Sequence, residues 1–217
     1  MIRFGLFGMP VTVEPFFWLT AVLINTGAFR GGPEVIPDLA AWVFVVLVSV
    51  LWHEIGHAVA FRHFGYRPEI VLQAFGGATM AKGSGGMPRM TDIVVTLAGP
   101  AFGLLLWASL SFLQLRGVIP PMEALPRGGQ LIMGYLLMAN LWWSILNLVP
   151  IYPLDGGRVL MALFGPQRLR PALVATIAVG VVCCLLAVLM FDTMILLILI
   201  LMTYQNYQRL KGLGTGR

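Results

Sequence analysis

Six apolar stretches, at about residues 11–29, 39–61, 93–115, 130–149, 171–191 and 194–208, constrain this chain more than any other feature. A helix needs roughly 20 apolar residues to cross the hydrocarbon of a bilayer, and each stretch approaches or exceeds that length. Only 11% of the residues are charged and 59% are hydrophobic, a balance that the surface of a soluble domain does not have. The expectation is an all-α polytopic membrane protein with about six transmembrane helices. Glu14 and Pro15 interrupt the first stretch, and Gln205, Asn206 and Gln208 dilute the last.

Six spans put both termini on one side, and the basic residues say which. Arg3, Arg62, Arg67, Lys82, Arg89, Arg158, Arg168, Arg170, Arg209, Lys211 and Arg217 fall on one face, which holds eleven of the fourteen Lys and Arg residues. Positive charge collects in the cytoplasm, so both termini are expected there, in a multi-pass protein of the cell membrane. The net charge of +5 then reflects orientation in the bilayer. Nucleic acid is not an expected partner, because the basic residues are spread among short loops and form no run. The N-terminus carries no pattern of a removable signal peptide. Cys183 and Cys184 are adjacent within a span and lack the spacing of a metal or redox motif.

Polar chemistry sits inside this apolar frame. In His53-Glu54-Ile55-Gly56-His57 the two histidines are four residues apart, which places both imidazoles on one face of a helix within reach of one metal ion. Histidines and a carboxylate are costly in hydrocarbon, so groups like these face a polar cavity and perform a function. His63 lies about 240° around the helix from His57 and does not share that face. A second polar constellation follows the fourth stretch, where Asn147-Leu148-Val149-Pro150-Ile151-Tyr152-Pro153-Leu154-Asp155-Gly156-Gly157 cannot continue as regular helix. In the six-span topology, His53, His57 and Asp155 all fall toward the cytoplasmic ends of their helices. Asp155 therefore reads either as a third metal ligand or as the cap of a new helix.

The one long loop, 62–92, predicts a small β-structure on the cytoplasmic side between the second and third helices. One strand is expected over Glu69 to Ala74, a second short strand or a bend over Phe75 to Met80, and a flexible turn over Lys82 to Gly86. Two His and one carboxylate, with a fourth position for water, form a known catalytic zinc set, although the same donors also suit iron. Zinc would polarise a carbonyl and bring the pKa of its water toward neutrality. Glu54 would act as the general base and then the general acid of amide hydrolysis.

Taken together, His53-Glu54-x-x-His57, Phe75-Gly76-Gly77, Ala98-Gly99-Pro100 with Gly103, and Asn147-x-x-Pro150-x-x-Pro153-Leu154-Asp155-Gly156-Gly157 resemble the site-2 proteases, the intramembrane zinc metalloproteases. Many members of that family have Asn where this chain has Gly103. The resemblance covers about the first 165 residues and implies a single membrane metalloprotease domain over 1–217. Its catalytic core would be 11–165, followed by two further helices at 171–208. It implies one Zn2+ per chain, held by His53, His57 and Asp155, with Glu54 as the acid/base and Asn147 holding substrate or the developing oxyanion. Asn140 resembles a recurring family position and reads as a substrate contact or an interhelical hydrogen bond. Phe75, Gly76 and Gly77 are expected to bind substrate, with an exposed edge at Val71 to Gly77 receiving an unwound segment by strand addition.

The implied substrates are single-span membrane proteins, selected by the membrane core, the β-loop or a separate regulatory membrane partner. Two rivals change the function: an inactive relative that binds transmembrane helices, and a metal-handling membrane transporter. The transporter would need ligands along a path, and the chain has only three His.

Overall fold

The computed structural model describes residues 1–24, 35–74, 76–81, 83, 86–189 and 193–213. Their order is β1 (Ile2–Leu6), β2 (Met9–Val13), α1 (Pro15–Ile24), α2 (Val35–His63), β3 (Pro68–Gln73), β4 (Gly76–Ala81), α3 (Arg89–Leu115), α4 (Arg127–Leu148), α5 (Asp155–Phe164), α6 (Leu169–Leu189) and α7 (Thr193–Gly212). Among the described residues, four helical segments are long and apolar enough to cross a bilayer: Val35–His63, Arg89–Leu115, Arg127–Leu148 and Pro166–Leu189. The protein is a multi-pass membrane protein. The described part of α1 is shorter than a span, and α7 carries Gln205, Asn206, Gln208, Arg209 and Lys211 in its second half.

The chain forms two compact units, Met1–Gly86 with Ala98–Ile145, and Met87–Leu97 with Leu146–Arg217. In the first, a four-stranded sheet of order β1-β2-β3-β4 packs on α1 and α2. Strands β3 and β4 pair antiparallel between α2 and α3, as the loop sequence predicts. The N-terminal part departs from expectation, because residues 11–13 belong to β2 and are not the start of a span. Strands β1 and β2 form an antiparallel hairpin, and β2 then pairs parallel with β3, Val11 opposite Ile70 and Val13 opposite Leu72. A parallel pair needs a long crossover, which α1 and α2 supply. The local signal was present, since Ile2, Phe4 and Leu6 alternate with Arg3 and Gly5, and Met9, Val11 and Val13 with Pro10 and Thr12. Val11–Val13 also adjoin the apolar α1 sequence, so the period of two was hidden in a longer hydrophobic stretch.

The same pairing corrects the expected substrate edge. Val71 and Leu72 lie in β3, which has neighbours on both sides, so the edge strand on this side of the sheet is β4.

Met9, Val11, Val13, Phe17, Val50, Ile55, Ala58, Ile70 and Leu72 make the core of the first unit. Helices α2 and α3 approach closely at Gly56, where a Cβ would lie 2.5 Å from the Ala98 carbonyl oxygen and 2.9 Å from Phe102 Cβ. The Trp52 indole N–H donates to the Phe102 carbonyl at 2.9 Å, tying the same two helices. Gly103 opens room on α3 for the Ser144 side chain of α4, whose Oγ would collide with a Cβ at position 103. The hydroxyl of α4 thus occupies the space that a side chain at position 103 would fill. Gly103→Ala is therefore expected to cost about 1–3 kcal/mol by overpacking. Adding Ser144→Ala should restore most of it, because Ser144 Cβ would lie at an ordinary 3.6 Å. Unfolding midpoints of the two single variants and the double variant in the same detergent check this coupling.

In the second unit, Ile151 is fully buried against Ala187 of α6 and Leu199 of α7. Gly180 of α6 makes similar room for the Thr203 side chain of α7.

Candidate metal centre

Helix α2 is buried on all sides at residues 53–58, and His53, Glu54 and His57 are each less than 5% exposed. The one-turn spacing brings the two imidazoles edge to face, with centroids 4.9 Å apart and Nε2 atoms 3.2 Å apart. Gly99 of α3 faces this pair, and a Cβ there would lie 2.8 Å from His53 Nε2 and closer still to His57 Nε2. Glycine is thus needed at position 99 to leave the two nitrogens their place. A pair of imidazoles converging through Nε2 in a site kept open by a glycine suits a zinc ion.

Glu54 points to the sheet. Thr79 Oγ1 donates to Glu54 Oε2 at 2.6 Å and lies 3.2 Å from the Glu54 backbone carbonyl. A Cβ on Gly77 would lie 2.5 Å from Glu54 Cγ and 2.6 Å from both Cδ and Oε1. The cross-strand register puts Thr79 opposite Ile70 and Gly77 opposite Leu72, so both face α2 along with the sheet's buried residues. Strand β4 therefore cradles the carboxylate with a hydroxyl and a bare backbone. Sequence reasoning did not find Thr79, whose contact with Glu54 spans 25 residues.

Gly76, at φ +140°, has a conformation that favours glycine, and a Cβ there would sit 3.0 Å from the Trp143 ring. Phe75 lies outside the described residues. Asn140 is 1% exposed, and its amide donates to Ser49 Oγ of α2 at 3.0 Å and to the Leu136 carbonyl at 2.9 Å. That is the interhelical hydrogen bond considered from the sequence, and it keeps the side chain in the helix packing. His63 is exposed at the end of α2, its ring against Phe64.

The second unit builds the segment around Asp155. The chain turns through Pro150 and Pro153 and enters α5 with Leu154 as N-cap, so Asp155 is the first helical residue and not the cap. Asp155 is 5% exposed, with Arg158 Nη1 3.9 Å from its Oδ1. A Cβ on Gly156 would lie 2.5 Å from the Leu148 carbonyl carbon, and one on Gly157 2.6 Å from the Ile151 oxygen. The two glycines let α5 begin directly against the turn that precedes it. Asn206 of α7, fully buried, donates to the Tyr152 carbonyl at 2.6 Å, and the Arg209 guanidinium lies 4.2 Å from the centre of the Tyr152 ring. These clamps from α7 fix the loop before Asp155 and were not foreseen. Asn147 is half-buried in the last turn of α4. His53, His57 and Asp155 are buried donors of the kinds that can hold one metal ion.

Residues 116–189 match the model of peptidase family M50. The chain is 34% identical over 173 residues to sll0528 of Synechocystis, a protein named as a zinc metalloprotease; the match covers 75% of this chain and 44% of that one. The chain belongs to the M50 peptidase family. Stage IV sporulation protein FB of Bacillus subtilis is 30% identical over 161 residues, covering 73% of this chain and 49% of that protein. The chain spans less than half the length of these two relatives. The solved site-2 protease of Methanocaldococcus jannaschii superposes with a TM-score of 0.65 at 24% identity, covering 96% of this chain and 94% of that one. The fold is that of a site-2 protease.

Proposed function

We propose that this chain is a zinc metalloendopeptidase that hydrolyses peptide bonds within or near the transmembrane segments of other membrane proteins. The observation that carries the reading is the Glu54 carboxylate, buried one residue from a converging imidazole pair and held by Thr79 and Gly77. His53, His57 and Asp155 would hold one zinc ion, and Asp155 at the start of α5 suits this role as a buried carboxylate next to the family's Pro-Leu-Asp-Gly segment. When bound, zinc acts as a Lewis acid on the scissile carbonyl and yields a nucleophile at neutral pH.

The chain's own groups do the rest. Glu54 takes a proton from the attacking water and delivers it to the leaving amine. The Thr79 hydrogen bond fixes which carboxylate oxygen is occupied and leaves Oε1 for the proton. Asn147 would supply an amide N–H to the developing oxyanion, where a preorganised donor stabilises the charge that forms. A helical substrate has its carbonyls engaged, so it must unwind before attack. Edge strand β4 offers a backbone to receive the unwound segment, with Gly76 and Gly77 allowing close approach beside Glu54. Phe75, which precedes them in sequence, would contribute an apolar contact, whereas Asn140 would act through helix packing.

On this reading the whole chain is one membrane metalloprotease domain of six spans, α1 and α7 completing the count. The sheet and both termini would be cytoplasmic, in the cell membrane. The substrates would be single-span proteins, and a regulatory membrane partner would help select them. Purified protein in lipid, given a panel of single-span reporters, is expected to cut within the span, to stop when a chelator is added, and to hold about one zinc per chain. Full zinc with no cutting of any reporter would favour a helix-binding relative, and chain without metal would overturn the ligand assignment.

A further inference from the structure

One face of the sheet outruns the helices that cover it. The register aligns Ile2 with Val13, Phe4 with Val11 and Leu6 with Met9, and then Val11 with Ile70 and Val13 with Leu72. Directly opposed residues project to the same face. The face that carries Thr79 and Gly77 onto Glu54 thus continues through the core residues Ile70, Leu72, Val11 and Val13 to Leu6, Phe4 and Ile2 of β1. Leu6 still packs against the core, but Phe4 is 41% and Ile2 52% exposed. The hairpin turn adds Phe7, 71% exposed and at φ +51°, followed by Gly8 at φ +75°. Two-residue hairpin turns with positive φ favour Asn or Gly, and a bulky side chain in that conformation is rare. Arg62, in the last turn of α2, donates to the Phe7 carbonyl at 2.7 Å and holds the turn beside the end of that spanning helix.

We propose that β1 and the Phe7–Gly8 turn form a lipid-contacting element, with Ile2, Phe4 and Phe7 seated in the headgroup and upper acyl region of the bilayer that α2 crosses. Two observations choose lipid over another occupant. Strand β2, whose Val13 pairs with Ile2 of β1, leads directly into α1, and that apolar helix exposes Phe16, Leu19 and Leu23. Arg3, Arg62 and Arg67 are exposed around the hairpin and the end of α2, where cations pair with anionic phospholipid. Exposed aromatics with arginines are the residues that hold a polypeptide at a membrane interface. A second copy pairing with the β1 edge is the competing occupant, and Arg3 in the middle of that strand discourages it. The consequence is a positioning one: the sheet that cradles Glu54 is fixed to the bilayer through β1, so the depth of β4 follows the lipid surface.

The test places single spin labels at Ile2→Cys, Arg3→Cys, Phe4→Cys, Gly5→Cys and Phe7→Cys in a Cys183→Ala, Cys184→Ala background, in vesicles of phosphatidylcholine and phosphatidylglycerol. Labels at 2, 4 and 7 are expected to meet dissolved oxygen several-fold more than a water-soluble nickel chelate, with the preference reversed at 3 and 5. Loss of this alternation, with nickel favoured at all five positions, overturns the proposal. So does dipolar broadening between labels at position 4, which would make the occupant a second copy. If the cysteine-free background does not fold, a benzophenone amino acid in place of Phe4 in the otherwise native chain gives the second readout. A phospholipid photoadduct is expected, and adducts confined to another protein chain overturn the proposal.

Discussion

Glu54→Gln is expected to lower peptide cleavage by ~10²–10⁴-fold, the usual worth of a general acid–base group, while leaving bound zinc near one per chain. The two substituents have nearly the same shape, and Thr79 Oγ1 can still donate to an amide oxygen where it now donates to Oε2 at 2.6 Å. Packing against Gly77 is also preserved. What is lost is an oxygen that can accept and return a proton. Single-turnover cleavage of a reporter in lipid, with metal analysis of the same sample, separates the possibilities. A variant that keeps zinc and cuts at the wild-type rate would remove Glu54 from the mechanism. One that loses zinc as well would mean that Glu54 serves mainly to shape the site.

Gly99→Ala should have the second large effect, on metal and not on the proton. Its Cβ would stand 2.8 Å from His53 Nε2 and nearer to His57 Nε2, so at least one imidazole must turn away. Overpacking of this kind costs about 1–3 kcal/mol of stability. Supporting residues around a metal ligand are commonly worth ~10–100-fold in affinity, and a methyl group at the ligand atoms themselves should reach the upper end. Zinc titration into the apo protein is expected to show that loss with the helical content intact. Unchanged zinc affinity in folded Gly99→Ala would mean that the imidazoles bind metal through a geometry other than the one in which their Nε2 atoms converge. Gly103→Ala, one turn further along α3, is the comparison: it meets the movable Ser144 hydroxyl and should leave zinc affinity unchanged.

Features governed by near neighbours were legible in the sequence. The pairing of His53 with His57 follows from the helical repeat alone, and the break at Pro150 to Gly157 follows from what proline and glycine do to a helix. Strands β3 and β4 were readable because the short strand-compatible run Glu69 to Ala74 is followed by glycines at 76 and 77 and by the glycine-rich turn Lys82 to Gly86. The spanning character of α2, α3, α4 and α6 follows from length and apolarity. The N-terminal hairpin was missed although its alternation is plain, because Val11–Val13 merge with the apolar sequence of α1.

The sequence by itself thus determined a membrane protein with a two-histidine, one-glutamate helix and a broken segment carrying Asp155. Only the tertiary structure decided what surrounds those groups. It joined β2 to β3 in parallel, so that β3 became an inner strand and β4 an edge. It set Thr79 on Glu54 across 25 residues, Asn140 on Ser49 across 91 and Asn206 on Tyr152 across 54. It also gave Gly99 and Gly103, alike in sequence, different neighbours: imidazoles for one and a serine hydroxyl for the other. The physical reason is the range of the forces involved. Helical period, proline and glycine act within a turn of chain, whereas the partner of a buried polar atom is fixed by how distant elements pack.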